Sequence, residues 1–504
     1  MGAVILTDEG IVLVAVFLVG VYAAYSVPLV QVFIKPTALP WLVLTDPFES
    51  QDILRRRTKE FDRSGFIADV FDGILPEHHL PSLTTDNRFK DNRNLISHLM
   101  TPAFLTQTIG PRLYNSAITM IKVWQLKCKL AEGRPFVAHY DITYMGLDSL
   151  FAAMFGHPES DNITTARLRP ISFPSAPIPR IFSAVLTLDH FVGTVQLSPF
   201  PRLTSFFLRL FPYMKRATAI KDAYIHDSVD ACLALMSAEA PSSDTKSTAT
   251  DTDPPRTALH SVLLRERSLA IKAGRPPAYH SRAIADEFFG FMLAGHDTAA
   301  TTLAWGVKFL SDHPAVQARL RRDLRAAMPG VVVGETPSYA DMAGLNVPYL
   351  DAVVDTTVMG RHVPKGTDVF IMANGAGYLK GNIEVGDERG VPGRERRERS
   401  TGALTGVWED EGIEKFRPER WLKLEEDGKE VFDAAAGPTL PFGMGPRACF
   451  GKRFALMQLR FEFALIVWHF DLLALPRELN DYDSVQKFAH EPAQCYVRLG
   501  PARD

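Results

Sequence analysis

Cysteine is scarce in this chain. There are four in 504 residues (Cys128, Cys232, Cys449 and Cys495), and no two of them form a Cys-x-x-Cys pair. A disulfide-built secreted scaffold and a thiol-based zinc cage are both excluded. Net charge is nearly absent too: 55 Lys and Arg against 58 Asp and Glu leave −3. That balance gives no electrostatic case for a nucleic-acid partner. The 34 Gly and 35 Pro are scattered, so the chain is neither fibrous nor of low complexity. No internal repeat is present. Core-building material, by contrast, is plentiful. Hydrophobic residues make up 46%, which excludes global disorder. At roughly 150 residues per domain, the length suits about three domains or one large single-core enzyme.

From Ile11 to Ile34 no residue is charged, and Ile, Leu, Val, Ala and Phe dominate. About 20 helical residues span the hydrocarbon core of a bilayer, so residues 1–35 are expected to form a membrane anchor ahead of a catalytic body at 36–504. Asp8 and Glu9 precede the run, and Lys35, Arg55, Arg56, Arg57 and Lys59 follow it. The positive-inside rule then puts the short N-terminus outside and the body in the cytosol. A cleaved signal peptide would want a basic leader and a shorter apolar run. On this reading the sequon Asn162-Ile163-Thr164 stays unmodified.

The body reads as mainly helical with a minor β-sheet, in one large domain. Asp46–Phe61, Asn92–Leu105 and Pro111–Leu130 carry helical patterns. Pro170–Pro212 is rich in Phe, Leu and Pro, and its interrupted helices suit a mobile cover over a cavity, a membrane-dipping surface or ordinary core helices with Pro-bearing ends. Flexible inserts are expected near 237–257 and 380–412. β-type runs come late, around Thr356–Val363, Asp368–Met372 and Tyr496–Leu499.

The densest chemistry lies at Pro441-Phe442-Gly443-Met444-Gly445-Pro446-Arg447-Ala448-Cys449-Phe450-Gly451, just before an apolar helix from Lys452 to Phe470. Its small and rigid residues bring backbone close to something and present one cysteine at a helix start. There the helix dipole stabilises a thiolate. Three readings are open on the residues alone: the axial ligand of a haem iron, a buried structural cysteine, or a nucleotide-phosphate loop, since Gly443, Gly445 and Ala448 fit G-x-G-x-x-G/A. Pro446 argues against the last by removing a backbone donor. A second constellation, Ala294-Gly295-His296-Asp297-Thr298, interrupts the long apolar helix Asp286–Ser311. Gly costs about 1 kcal/mol in a helix interior, and Thr can bond back to a carbonyl one turn earlier. A local kink beside a flat cofactor and a tolerated Gly-Thr pair in a core helix are equally good readings.

The string Phe442-x-x-Gly445-x-Arg447-x-Cys449-x-Gly451 resembles the haem-binding loop of the cytochrome P450 family. Phe416-Arg417-Pro418-Glu419-Arg420-Trp421 resembles that family's Pro-Glu-Arg segment, and Ala294–Thr298 its oxygen-binding helix motif. The resemblance covers most of the chain, from Trp41 to Leu499. It implies a haem b cofactor with Cys449 as the iron ligand, Phe442 and Gly443 in the cofactor loop and Gly295 beside the haem. Arg447 would pair with a propionate, and Asp297 and Thr298 would deliver protons for O–O cleavage. Phe89-x-x-x-Arg93 resembles the family's helix that reaches a propionate, with Phe where Trp is usual. A planar, bidentate guanidinium suits that carboxylate.

One family feature is missing. Pro348–Asp355 looks like the start of the helix that carries Glu-x-x-Arg, yet Thr356 and Met359 stand where Glu and Arg are expected. The chain then runs straight into what looks like a later strand and turn. Glu414 and Arg417 have the spacing but sit in a Pro-bounded loop. A similar shortening is expected between Lys35 and Trp41, where the family has a hinge, a helix and strands.

The resemblance implies a monooxygenase of the endoplasmic reticulum membrane, single-pass, with its catalytic body cytosolic. It would insert one atom of dioxygen into a lipophilic small molecule, with electrons from an NADPH-dependent flavoprotein reductase. Lys452, Arg453 and Arg460 could form a basic docking face for that reductase. The Phe-rich segments suit a lipophilic molecule such as a terpenoid, polyketide or fatty acid, and the irregular inserts resemble filamentous-fungal members, many of which tailor secondary metabolites. Two alternatives stand beside this reading: an inactive anchored relative that no longer holds haem firmly, and a nucleotide-binding reductase without iron.

Overall fold

In a computed structural model the described residues are 29–32, 41–44, 46–156, 178–198, 200–238, 256–332, 334–352, 369–371, 416–437, 440–486 and 489–502. They fall into two compact units, each discontinuous in sequence. One comprises Met1–Ile67, Leu197–Pro199 and Pro348–Cys449; the other comprises Ala68–Gln196, Phe200–Val347 and Phe450–Asp504.

The first unit carries a three-stranded sheet. Its central strand, Trp41–Leu44, pairs antiparallel with Leu29–Val32 and parallel with Val369–Ile371. Leu42, Val43 and Leu44 are all buried, and a continuous apolar run is what a strand covered on both faces requires. Leu29–Val32 corrects one expectation: the end of the uncharged run is strand, not membrane helix, because its alternating β-branched residues find a hydrogen-bonding partner in Trp41–Leu44. Strands also flank the point where shortening after Lys35 was expected. The rest of the anchor, like the residues from Thr356 to Asp368, 239–255 of the first insert and all of the second, lies outside the described residues. Among the described residues no helix is long and apolar enough to cross a membrane.

Further along the first unit, the helix expected over Asp46–Phe61 is shorter, an α-helical turn at Pro47–Gln51 running into a π-helical one at Asp52–Arg56. Arg57 stops it, pairing with Glu49 at 2.5 Å and Glu60 at 2.7 Å. Pro418–Trp421 forms a 3-10 turn leading into the hairpin Leu422–Leu424 and Glu430–Phe432. The Tyr349 hydroxyl donates to Glu419 Oε1 at 2.6 Å, tying the short helix Pro348–Asp351 to that turn.

The second unit is helical. Its spine is Arg282–Asp312, a 31-residue helix whose N-cap Ser281 accepts from the Ile284 N–H. His139–Phe155 lies against it because Gly146 brings the backbones together; a Cβ there would meet His296 O at 3.3 Å. Lys452–His469 lies against it at Gly306, where the Phe463 ring fills the space a Cβ would take. Trp124, Phe151, Phe182, Phe288 and Phe289 fill the core. The helix expected over Pro111–Leu130 is present as Gly110–Ala131. The one expected over Asn92–Leu105 is broken into Asn87–Ile96, a 3-10 turn Ser97–Met100, and Pro102–Phe104 capped by Thr101. Pro102 cannot donate to the ladder and disfavours helix at the residue before it.

Candidate active site

In the first unit the chain from Leu440 to Cys449 turns back on itself twice. The Gly443 N–H donates to Leu440 O at 3.0 Å, Ala448 N–H to Gly445 O at 3.0 Å, and Cys449 N–H to Phe442 O at 2.7 Å. Two residues make this possible by adopting left-handed backbone, Gly443 at φ +60° and Gly445 at φ +66°. At Gly445 the requirement is double, since a Cβ would sit 1.9 Å from Leu54 O. The result is an exposed Cys449 thiol outside any disulfide, with Phe442 and Gly443 half-buried beside it.

Arg447, two residues before that thiol, is largely buried and pairs with Asp62 through Nη2 at 3.0 Å. Arg63 lies close by. Burial and the neighbouring Arg447 charge pull its guanidinium down to about 10, and its buried Nε has no hydrogen-bond partner. Both guanidiniums feel the Asp62 carboxylate. A buried guanidinium donor left without a protein partner, the Arg63 Nε, fits a group bearing carboxylates of its own. Arg63 was not a sequence candidate; its partner in charge, Arg447, is far along the chain and nothing local marks it.

The second unit carries the remaining candidates. The long helix is α-helical straight through Ala294–Thr298, so no break opens in it there. Thr298 does bond back, donating from Oγ1 to Ala294 O at 2.8 Å, and Thr302 does the same to Thr298 O at 2.8 Å. Thr298 and Ala294 are exposed. Gly295 is half-buried because Leu150 packs on it, 2.9 Å from where a Cβ would be. Asp297 accepts from the Ala489 N–H at 3.2 Å. His296 between them is a core residue, its Nδ1 donating to Met292 O at 2.8 Å and its pKa lowered chiefly by burial.

Arg93 lies on the helix Asn87–Ile96 with its guanidinium 4.7 Å from the centre of the Phe450 ring and 6.0 Å from that of Phe89. Phe450 also stacks on Phe291 at 5.6 Å. Arg93, Gly295, Asp297 and Thr298 therefore belong to one unit, and Phe442, Gly443, Arg447 and Cys449 to the other. Of the basic residues expected at a docking face, Arg453 donates to Met100 O at 3.0 Å and Arg460 to Leu345 O. Both are engaged in tying the fold together.

Comparison with known proteins gives the class, a haem-thiolate protein. The sequence profile described as cytochrome P450 matches residues 27–355 and 407–497; the chain belongs to the cytochrome P450 family. It is 30% identical to the cytochrome P450 monooxygenase TRI13 of Fusarium sporotrichioides, over 94% of this chain and 87% of that one. It is 26% identical to the cytochrome P450 monooxygenase xilC of Penicillium crustosum, over 94% of this chain and 85% of the relative. A zebra fish cytochrome P450, in a structure with progesterone, shares the fold, with a TM-score of 0.64 at 17% identity over 95% of this chain and 98% of that one. The chain is accordingly an oxidoreductase whose family uses a haem-thiolate iron cofactor. The family match pauses between 355 and 407, where the Glu-x-x-Arg segment was expected and not found.

Proposed function

We propose that this protein is a membrane-associated monooxygenase that inserts one oxygen atom from dioxygen into a lipophilic secondary metabolite of terpenoid or polyketide type. The observation that carries the reading is the loop itself: two left-handed glycines present an exposed Cys449, flanked by the half-buried Arg447. When bound, haem supplies the iron at which dioxygen is reduced and divided. The chain's residues supply the rest. As the family resemblance implies, Cys449 would hold the iron and Arg447 and Arg93 would hold propionates, and the unpartnered Arg63 Nε would add a donor beside Arg447. Asp297 and Thr298 would relay protons, as the family resemblance implies, and the Thr298 hydroxyl, parked on Ala294 O, can rotate to pass one on. Electrons come from an NADPH-dependent flavoprotein reductase. That the relatives named above are monooxygenases supports the reaction class.

The membrane association has its own support. Around the helix Pro201–Leu208, seven large apolar side chains (Phe200, Leu203, Phe206, Phe207, Leu210, Phe211 and Tyr213) are each at least 50% exposed. Patches this apolar mark interaction surfaces. Arg202, Arg209, Lys215 and Arg216 lie among them, and aromatic rings with a basic fringe suit an anionic lipid interface. Together with the uncharged run from Ile11 and the basic residues that follow it, this patch supports a body on the cytosolic face of the endoplasmic reticulum.

The decisive experiment is the spectrum of purified protein, reduced and treated with carbon monoxide. A thiolate-type Soret band that disappears in Cys449→Ser supports the enzyme. Protein that remains iron-free when supplied with haemin would identify the inactive relative instead.

A further inference from the structure

The long helix buries two consecutive acids, Asp286 and Glu287, both fully inaccessible, and neither belongs to the chemistry described so far. Glu287 is saturated. Its Oε1 accepts from the His79 backbone N–H at 2.8 Å and from Asn92 Nδ2 at 2.8 Å. Its Oε2 faces His79 Nδ1 at 2.7 Å and His78 Nε2 at 3.3 Å. Asp286 adds the Glu77 N–H at 2.8 Å, and Asn92 Nδ2 also donates to Glu77 O at 2.6 Å.

His78, His79 and Glu287 have the donor set of a metal site, with ligand atoms within 4.8 Å of one another. The hydrogen bonds argue otherwise. The Leu80 N–H donates to His78 Nδ1 at 3.0 Å, so that lone pair is occupied. Burial holds the ring neutral, its pKa down to about 4. Its single proton is therefore on Nε2, directed at Glu287, and a metal there would demand an imidazolate. The cluster is a closed hydrogen-bond network.

What the network holds is informative. Asn92 immediately precedes Arg93 on the helix Asn87–Ile96. The His79 ring meets Phe450 edge-on at 6.3 Å, and Phe450 is the residue after Cys449 and the ring under the Arg93 guanidinium. Gly290, one turn beyond Glu287, makes room for the His78 ring; a Cβ there would lie 2.3 Å from Nε2.

We propose that Glu287 is a positioning residue for haem retention, acting through Asn92 and His79 to fix Arg93 over Phe450. A carboxylate with four donors has one low-energy position, so the loop Glu77–Leu80 and the Arg93 helix share a single register with the long helix. The proposal rests on the haem-thiolate reading above.

The test is the rate at which holoprotein loses haem to excess apomyoglobin, for wild type, Glu287→Gln, Arg93→Ala and the double variant. Thermal melting and the CO-difference spectrum are followed in parallel. Glu287→Gln sets an amide N–H against the two ring donors, and we expect about tenfold faster haem loss, a scale set by ~1.4 kcal/mol per decade. The double variant should lose haem no faster than Arg93→Ala alone. If the two effects multiply, or melting falls while haem loss stays at the wild-type rate, Glu287 is merely structural and the proposal fails. Should Glu287→Gln not fold, Asn92→Leu cuts the tie to the Arg93 helix and leaves Glu287 three donors; the same non-additivity is required of it. Wild-type protein that takes up no haemin sinks the haem reading itself, a result distinct from multiplicative losses in a haem-loaded protein.

Discussion

The loop Pro441–Cys449 and the helix Arg282–Asp312 hold their chemistry by opposite means. The loop depends on backbone: two glycines at φ +60° and +66° and three short N–H···O bonds put the thiol where it is. The helix depends on side chains, burying Asp286, Glu287 and His296 and giving each a partner from its own or a distant segment. A backbone device is local and all-or-none. A side-chain network is distributed, and it can be weakened one bond at a time.

The sharpest way to break the comparison is Gly445→Ala. Left-handed backbone costs a non-glycine residue roughly 1–2 kcal/mol, and the methyl would also strike Leu54 O at 1.9 Å. The expected outcome is near-complete loss of haem incorporation, read as the ratio of Soret to protein absorbance. Gly290→Ala should come next. Its methyl meets the buried His78 ring rather than backbone, and overpacking of this kind costs about 1–3 kcal/mol. The melting temperature should drop by several degrees while the Cys449 loop keeps its CO signature.

A third prediction concerns Glu462 on the helix Lys452–His469. It is fully buried; Oε1 accepts from Gln458 Nε2 at 2.7 Å, but Oε2 has no partner. Burial pushes the carboxyl up from 4.5 to about 8. Below pH 4.5 it is protonated folded or unfolded; above that only the unfolded chain ionises readily, so stability falls until the pH passes about 8. Glu462→Gln should therefore melt like wild type at pH 4 and clearly higher at pH 9. The smallest stability effect belongs to Thr298→Ala. The side chain is exposed and surface changes stay within about 0.5 kcal/mol, so melting should be unchanged. Product formed per NADPH consumed should fall about tenfold or more, the usual scale of a lost proton-transfer group.

The contrast also explains what could be read in the sequence. The loop was legible because most of what shapes it lies within ten residues: the glycines, Pro446, Arg447 and the cysteine. The main helices were legible from periodicity, and Pro102 could have warned that Asn92–Leu105 would break. The partners of the helix acids were not legible, because Glu77 and His79 lie 209 and 208 residues away. Asp62 stands 385 residues from Arg447, so the Arg63–Arg447 pair was equally hidden. One signal went unused. Two adjacent acids in an otherwise apolar helix, Asp286-Glu287-Phe288-Phe289, announce buried charge that must be met. The uncharged N-terminal run misled in one respect: apolarity alone does not separate a membrane helix from a strand, and Leu29–Val32 is a strand.

The aromatic ridge around Pro201–Leu208 has a practical corollary. It is held on its inner side by the buried Ser205, which fills the space beside Gly73, while Arg202 pairs with Asp69 at 2.7 Å, so the phenylalanines stay on the outer face in water. Trimming the chain back to Leu29 should therefore not yield a well-behaved aqueous sample. Such a preparation will still adsorb to plastic, elute late from hydrophobic resin and self-associate on concentration, until the ridge phenylalanines are exchanged for polar residues.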